Sequence, residues 1–124
     1  MPSVDVIFFQ ELNGKTPPLI EWLDGIPTKG RIKCLARLRR LEDLGHELRR
    51  PETDYLRDGI YELRASFQGV HYRMLYFFHG RATVVLTHGI VKEREVPLRE
   101  IERAIRAKDA FERNPSAHTF KPER

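Results

Sequence analysis

The sequence predicts an α+β fold in which helices pack on a mostly antiparallel sheet, in the order β-α-α-β-β-β-α. Three observations lead to it. Two helical segments follow one another between residues 16 and 44, three β-rich runs come next with only short turns between them, and an apolar-faced helical stretch starts at Pro97. With 124 residues, 40% of them hydrophobic and 32% charged, the chain suits one globular domain with one core. That domain is read as residues 1–113, followed by a polar C-terminal tail over 114–124.

Val4-Asp5-Val6-Ile7-Phe8-Phe9 is short, β-branched and aromatic, and predicts the first strand. Asn13 to Pro18 reads as a turn, with Thr16 as a cap and Pro17 at the first position of a helix carrying Leu19, Ile20, Trp22 and Leu23. The second helix is expected from Thr28 to Leu44, with Ile32, Leu35, Leu38, Leu41 and Leu44 as its apolar stripe and Gly45 as its C-cap. Lys29, Arg31, Lys33, Arg37, Arg39 and Arg40 crowd its remaining surface, so the helical hairpin is apolar on one side and cationic on the other.

Arg49-Arg50-Pro51 opens a loop expected to run to Asp58-Gly59. In the strand from Ile60 to Phe67, alternation puts Tyr61, Leu63, Ala65 and Phe67 on one face and Glu62, Arg64 and Ser66 on the other. Gln68-Gly69 and His79-Gly80 then separate strands at 70–78 and 82–91, which are apolar enough to be covered on both sides. In the last helix Leu98, Ile101, Ala104, Ile105 and Phe111 share a face, and Asn114-Pro115 stops it. Ser116 to Arg124 reads as a mobile tail or an extended arm.

Composition narrows the function classes. Twenty-two Lys and Arg against 18 Asp and Glu leave a formal charge of +4, which favours a polyanion or an acidic partner. Cys34 is the single cysteine, so neither an internal disulfide nor a cysteine-based zinc site can form, and its apolar neighbours make it a buried thiol rather than a nucleophile. No stretch approaches the roughly 20 apolar residues of a membrane span, and the N-terminus shows no secretory pattern. A cytoplasmic location without membrane contact is therefore expected. No metal-ligand spacing, phosphate loop or dinucleotide glycine pattern is present, so no cofactor is expected.

The chemistry is expected in the meander. Arg64 and Arg73 project from neighbouring antiparallel strands, and Lys92 and Arg94 follow the third. Such a cluster needs compensating anions. Phosphate is one solution, since an arginine fork can bond it twice. Pairing with Glu62, Glu93, Glu95 and Glu100 in a solvated ionic surface is the other. His88 ends an apolar strand and reads either as a partly buried acid/base group or as a structural histidine; His71 and His79 read as solvent-facing.

Asp58-Gly59-Ile60-Tyr61-Glu62-Leu63-Arg64, Tyr72-Arg73-Met74-Leu75-Tyr76 and Leu86-Thr87-His88-Gly89, with Lys92-Glu93 and Pro97 to Ala104, resemble the central block of the RelE/HigB toxins of bacterial type II toxin–antitoxin systems. The resemblance spans about residues 4 to 113. It implies a RelE-like fold, a helical hairpin and C-terminal helix on a small curved antiparallel sheet. It also implies a metal-independent endoribonuclease that inhibits translation by cutting mRNA on the ribosome, with the RNA's own 2′-hydroxyl as nucleophile. By position, Arg64 and Arg73 would hold the scissile phosphate, Lys92 would add transition-state charge, and Glu62 would be a general base or only a surface carboxylate. Lys29, Arg37, Arg40 and Arg94 would contact RNA. The implied partners are the ribosome, mRNA and a cognate antitoxin, a helix-turn-helix protein encoded nearby, for which the basic helix and apolar sheet edges suit an acidic or helical surface. The chain departs from many relatives at Ile90 and Lys92-Glu93, where they carry an aromatic residue and paired lysines. It also has Val96-Pro97 where some carry a catalytic tyrosine, leaving His88 and His118 as candidate proton donors. A ParE-like toxin that binds DNA gyrase, or a catalytically degenerate binding protein, would share the fold without the RNA chemistry.

Overall fold

The computed structural model describes residues 3–12, 14–92 and 94–122. Outside them lie Asn13 of the predicted first turn and Glu93, one of the carboxylates expected to pair with the cations. The elements run β1 (Asp5–Phe9), α1 (Pro18–Gly25), α2 (Thr28–Leu44), β2 (Thr53–Arg57), β3 (Ile60–Phe67), β4 (Val70–His79), β5 (Thr83–Val91), α3 (Leu98–Arg113) and β6 (Thr119–Phe120). One-turn 3-10 helices at Gly45–Glu47 and Pro115–Ala117 follow α2 and α3. The class is α+β, with a sheet of order β2-β3-β4-β5-β1-β6 in which β1 is parallel to β5 and the other pairs are antiparallel.

The sheet is covered on both faces. Leu19 and Leu23 of α1 and Cys34, Leu38 and Leu41 of α2 pack with Leu63, Met74, Tyr76 and Leu86 on one side. Ile101, Ala104 and Phe111 of α3 pack with Ile60, Leu75, Phe77 and Val85 on the other. That accounts for the apolar character of β4 and β5 on both faces. Arg31 ties the hairpin together by donating to the carbonyl oxygens of Leu23 (2.7 Å), Asp24 (3.2 Å) and Ile26 (3.4 Å) at the end of α1. Cys34 is fully buried, and its burial pushes the thiol up to about 12, so it is inert.

Three expectations change. The α2 stripe fails at its start, because Ile32 is 58% and Leu35 47% exposed while Gly30, Cys34, Leu38 and Leu41 face the sheet. A three-residue step falls about 60° short of a full turn, so a strict period of three walks off one helix face. The loop after Pro51 contains strand β2, which pairs with β3 as an edge. Its alternation was hidden by the charged Asp54 and Arg57 between turn residues. Thr16 makes no cap, since α1 begins at Pro18 with Pro17 preceding it. Of the two readings of the C-terminal segment the extended arm is the one observed: β6 pairs antiparallel with β1, Phe120 opposite Phe8.

The β2–β3 and β3–β4 hairpins turn through Asp58-Gly59 and Gln68-Gly69, all four with positive φ, the signature of two-residue turns matched to sheet twist. Elsewhere glycine is needed for space. A Cβ on Gly89 of β5 would overlap the indole ring of Trp22, which itself packs edge-on against Tyr72 at 6.1 Å. Gly89→Ala should therefore lower stability by about 1–3 kcal/mol in urea unfolding. Gly25→Ala, where nothing lies within 4 Å of the added carbon, should stay within about 0.5 kcal/mol of the parent.

Candidate functional site

Pairing of β3 with β4 sets Arg64 opposite Arg73, Glu62 opposite Leu75 and Ser66 opposite His71, and β5 sets His88 opposite Leu75 and Ile90 opposite Arg73. Glu62, Arg64, His71 and Arg73 thus share the sheet face that carries α3. Like charges directly across a rung repel, and here a carboxylate separates them. Glu62, only 3% exposed, accepts from Arg73 Nη1 through Oε1 and from Arg64 Nη2 through Oε2, both at 2.9 Å. Arg64 Nη2 also donates to Asp54 at 3.2 Å, and Asp54 binds Arg50 at 2.9 Å. The Glu62 hydrogen bond raises the Arg64 guanidinium further above its already high range. Arg64 Nε is buried without a hydrogen-bond partner among the described residues.

The two arginines stand between two clefts. One, of about 590 Å³, is lined by Asp54, Glu62, Arg64, Arg73, Arg94 and Glu95 with Val96 and Ile101 behind them. The other, of about 420 Å³, is lined by Arg37, Pro51, Arg64, Ser66, His71 and Arg73. Four guanidiniums and one imidazole therefore converge on one surface. The arrangement suits an oxyanion with several negative oxygens, because arginine donates in a fixed fork and does not lose its proton.

The remaining expected residues are placed apart. Lys92 lies beside His71, its amide bonding the His71 carbonyl at 3.1 Å, but its side chain is exposed and lines neither cleft. Lys29 sits over the Phe67 ring, 5.9 Å from its centre, on the hairpin side of the sheet. Arg40 is clamped by Glu52 through two bonds of 2.7 and 2.8 Å, and Arg37 meets the same carboxylate at 2.6 Å. The Arg40 bond is the main cause that holds Glu52 below the usual carboxylate range.

His88 is enclosed away from both clefts. It is 2% exposed, with Nε2 2.9 Å from Glu100 and Nδ1 3.0 Å from the Thr87 hydroxyl, and it borders a separate cavity with Arg103 and Arg106. Burial first, then the charge of Arg103, lowers its pKa to about 4 against the pull of Glu100. The ring is neutral at pH 7, with the Nε2 proton facing the carboxylate. His118 is held by the Gln10 carbonyl at 2.8 Å and stacks on Phe9 at 5.2 Å, remote from the arginines in the fold. His79 packs edge-on to Phe111. Sequence reasoning left Asp54 and His71 out of the site. Asp54 was hidden with β2, whereas the His71–Arg73 spacing on one strand was a visible signal.

The family described as Phage derived protein Gp49-like (DUF891) matches residues 21–109. No curated protein matches the chain.

Two outcomes test this geometry. Glu62→Ala leaves Arg73 facing Arg64 without its carboxylate, with Asp54 alone still paired to Arg64, and should lower stability by about 2 kcal/mol in thermal melts. That is less than the roughly 3–5 kcal/mol of a fully buried pair, because the Arg64 side chain is 36% exposed and can turn to water. His88 binds its proton less readily folded than unfolded, so stability falls as pH drops from about 6.5 towards 4 and is unaffected by this group above that window. The loss should be on the order of 3 kcal/mol in urea midpoints taken at pH 7 and pH 4, and His88→Gln should flatten it.

Proposed function

The chain belongs to the phage-derived Gp49-like family, which is associated with toxin–antitoxin pairs, and from that premise we propose that it is a toxin whose activity is endonucleolytic cleavage of mRNA on the ribosome. The observation that carries the reading is the convergence of Arg64 and Arg73, with Arg37 and Arg94 beside them, on one accessible surface. A protein that only docks on another has no need for a multi-arginine cradle around an ion-paired carboxylate.

In this reaction a ribose 2′-oxygen attacks the adjacent phosphorus, the bond from phosphorus to the 5′-oxygen breaks, and the products end in a 2′,3′-cyclic phosphate and a 5′-hydroxyl. Arg64 and Arg73 turn from Glu62 to the phosphate oxygens and stabilise the charge that accumulates there. The movement also gives the unpartnered Arg64 Nε a chance to find an acceptor, relieving a deficit of about 1–3 kcal/mol. Glu62, released from its two donors, takes the 2′-hydroxyl proton. His71, exposed in the second cleft, returns a proton to the leaving 5′-oxygen. Arg94 and Lys92 add positive charge, and Arg37 guides the strand. His88, held between Thr87 and Glu100 beside a separate cavity, is not the proton donor in this reading. The cognate antitoxin is a helix-turn-helix partner that covers the basic and apolar exterior of the hairpin, where Ile32 and Leu35 are exposed.

Expression of the chain followed by primer extension on cellular mRNA should reveal new, codon-phased 5′ ends. Arg73→Ala should reduce their rate of appearance on the order of 10²-fold. Intact mRNA with accumulation of linear DNA would overturn the reading in favour of a gyrase poison.

A further inference from the structure

The hairpin side of the β2 edge holds an aromatic cavity of about 420 Å³ that the cleavage steps leave unused. Such a volume lies within the range of ligand pockets, about 300–1,000 Å³. Tyr55 of β2, Tyr61 of β3, and Tyr76 and Phe78 of β4 form its wall, and His46 stacks on Phe78 with ring centres 3.7 Å apart. Tyr61 lies parallel to Tyr76 at 5.2 Å and edge-on to Tyr55 at 5.0 Å. Tyr76 is buried with its hydroxyl bonded to that of Thr53, so it anchors the ladder. Tyr55 is 53% exposed, much for a tyrosine whose ring has aromatic neighbours.

Two further features narrow the occupant. Arg49 and Arg50 stand on the rim, both exposed; Arg49 donates to the His46 carbonyl, a neutral group that leaves its charge uncompensated, and Arg50 pairs with Asp54 at 2.9 Å. Asp54 and Tyr55, consecutive on the edge strand, wall both this cavity and the Arg64–Arg73 cleft. A strand of RNA passing over β2 would meet guanidiniums on one face and π-surface on the other. Aromatic faces beside arginines match a base and its phosphate, and stacking accepts any base.

We propose that this cavity is a base-binding subsite, in which one nucleobase of the RNA strand engaged by Arg64 and Arg73 stacks on Tyr55 and Tyr61 while its phosphate meets Arg49 and Arg50. The inference rests on the RNA reading above, and it assigns the aromatic edge to substrate grip rather than to bond cleavage.

The test uses a fluorescein-labelled, 2′-O-methylated RNA hexanucleotide, which cannot be cut because its nucleophile is blocked, and six versions each lacking one base. Fluorescence anisotropy with the parent protein should show one position where loss of the base weakens binding on the order of tenfold. Tyr55→Ala should reduce that sensitivity to less than twofold, while Tyr55→Phe, which keeps the ring but not the hydroxyl that accepts from Gly59 N, should behave as the parent. Equal binding of all six abasic versions, or undiminished sensitivity in Tyr55→Ala, would overturn the subsite. Arg73→Ala separates the two readings. If it weakens every version alike while Tyr55→Ala changes nothing, only the subsite fails. If Arg73→Ala has no effect and the Tyr55 dependence persists, the subsite stands and the phosphate cleft fails.

Discussion

A one-residue slip between β3 and β4 would turn every side chain of one strand to the opposite face of its neighbour. Leu63 would leave the hairpin core, and Arg64 would be driven into it. The turn at Gln68-Gly69 prevents this by holding two successive positive φ values, 51° and 80°, which fix the pairing that begins with Phe67 opposite Val70. Three rungs along, that register brings Arg64 face to face with Arg73. The position of Glu62, two residues before Arg64 and on the same face, follows from the same alternation. The apolar contacts on the hairpin side therefore set the geometry of the charges on the other.

On the cleavage reading, the ionic surface and the phosphate cradle are made of the same atoms. At rest Glu62 satisfies both arginines, which keeps two facing cations stable on a sheet. On the cleavage reading this carboxylate is also a competitor for the substrate. A phosphodiester carries a single negative charge and gains little by displacing it. The pentacoordinate species carries more, so the exchange becomes favourable as the reaction proceeds. An interaction that strengthens on the way to the transition state is the kind that accelerates a reaction.

Much of the frame was legible from residue type and spacing. The β3 alternation placed Glu62, Arg64 and Ser66 on one face, and the turn after β3 fell at Gln68-Gly69 as expected, whereas the turn after β4 lies at residues 80–82 because His79 still pairs with Thr83. The failures have separate physical causes. Ile32 and Leu35 look like core residues by identity, but the helix faces the sheet through Gly30 and Cys34, where small side chains permit close approach. Gly30 sits where an added Cβ would meet the Tyr72 hydroxyl at 2.5 Å, a tertiary constraint that no helical period contains. β2 was masked because an edge strand needs only one apolar face, and its outer side carries Asp54 and Arg57. For the site, sequence offered the cations but not their distribution. Lys92 follows β5 as expected yet stays outside both clefts, and His71 enters one because pairing sets it opposite Ser66, on the face that carries Arg64 and Arg73.

The six-stranded sheet ends at β6, which is only two residues long and lies against β1. β1 itself carries Ile7, Phe8 and Phe9, all buried, so its free margin would be an inviting template for another chain. The C-terminal arm occupies that margin with Thr119 and Phe120, and Gln10 and His118 pin it from either side through each other's main chain and that of Thr119. Residues 115–120 thus cover a margin of β1 that would otherwise stand open to strand addition.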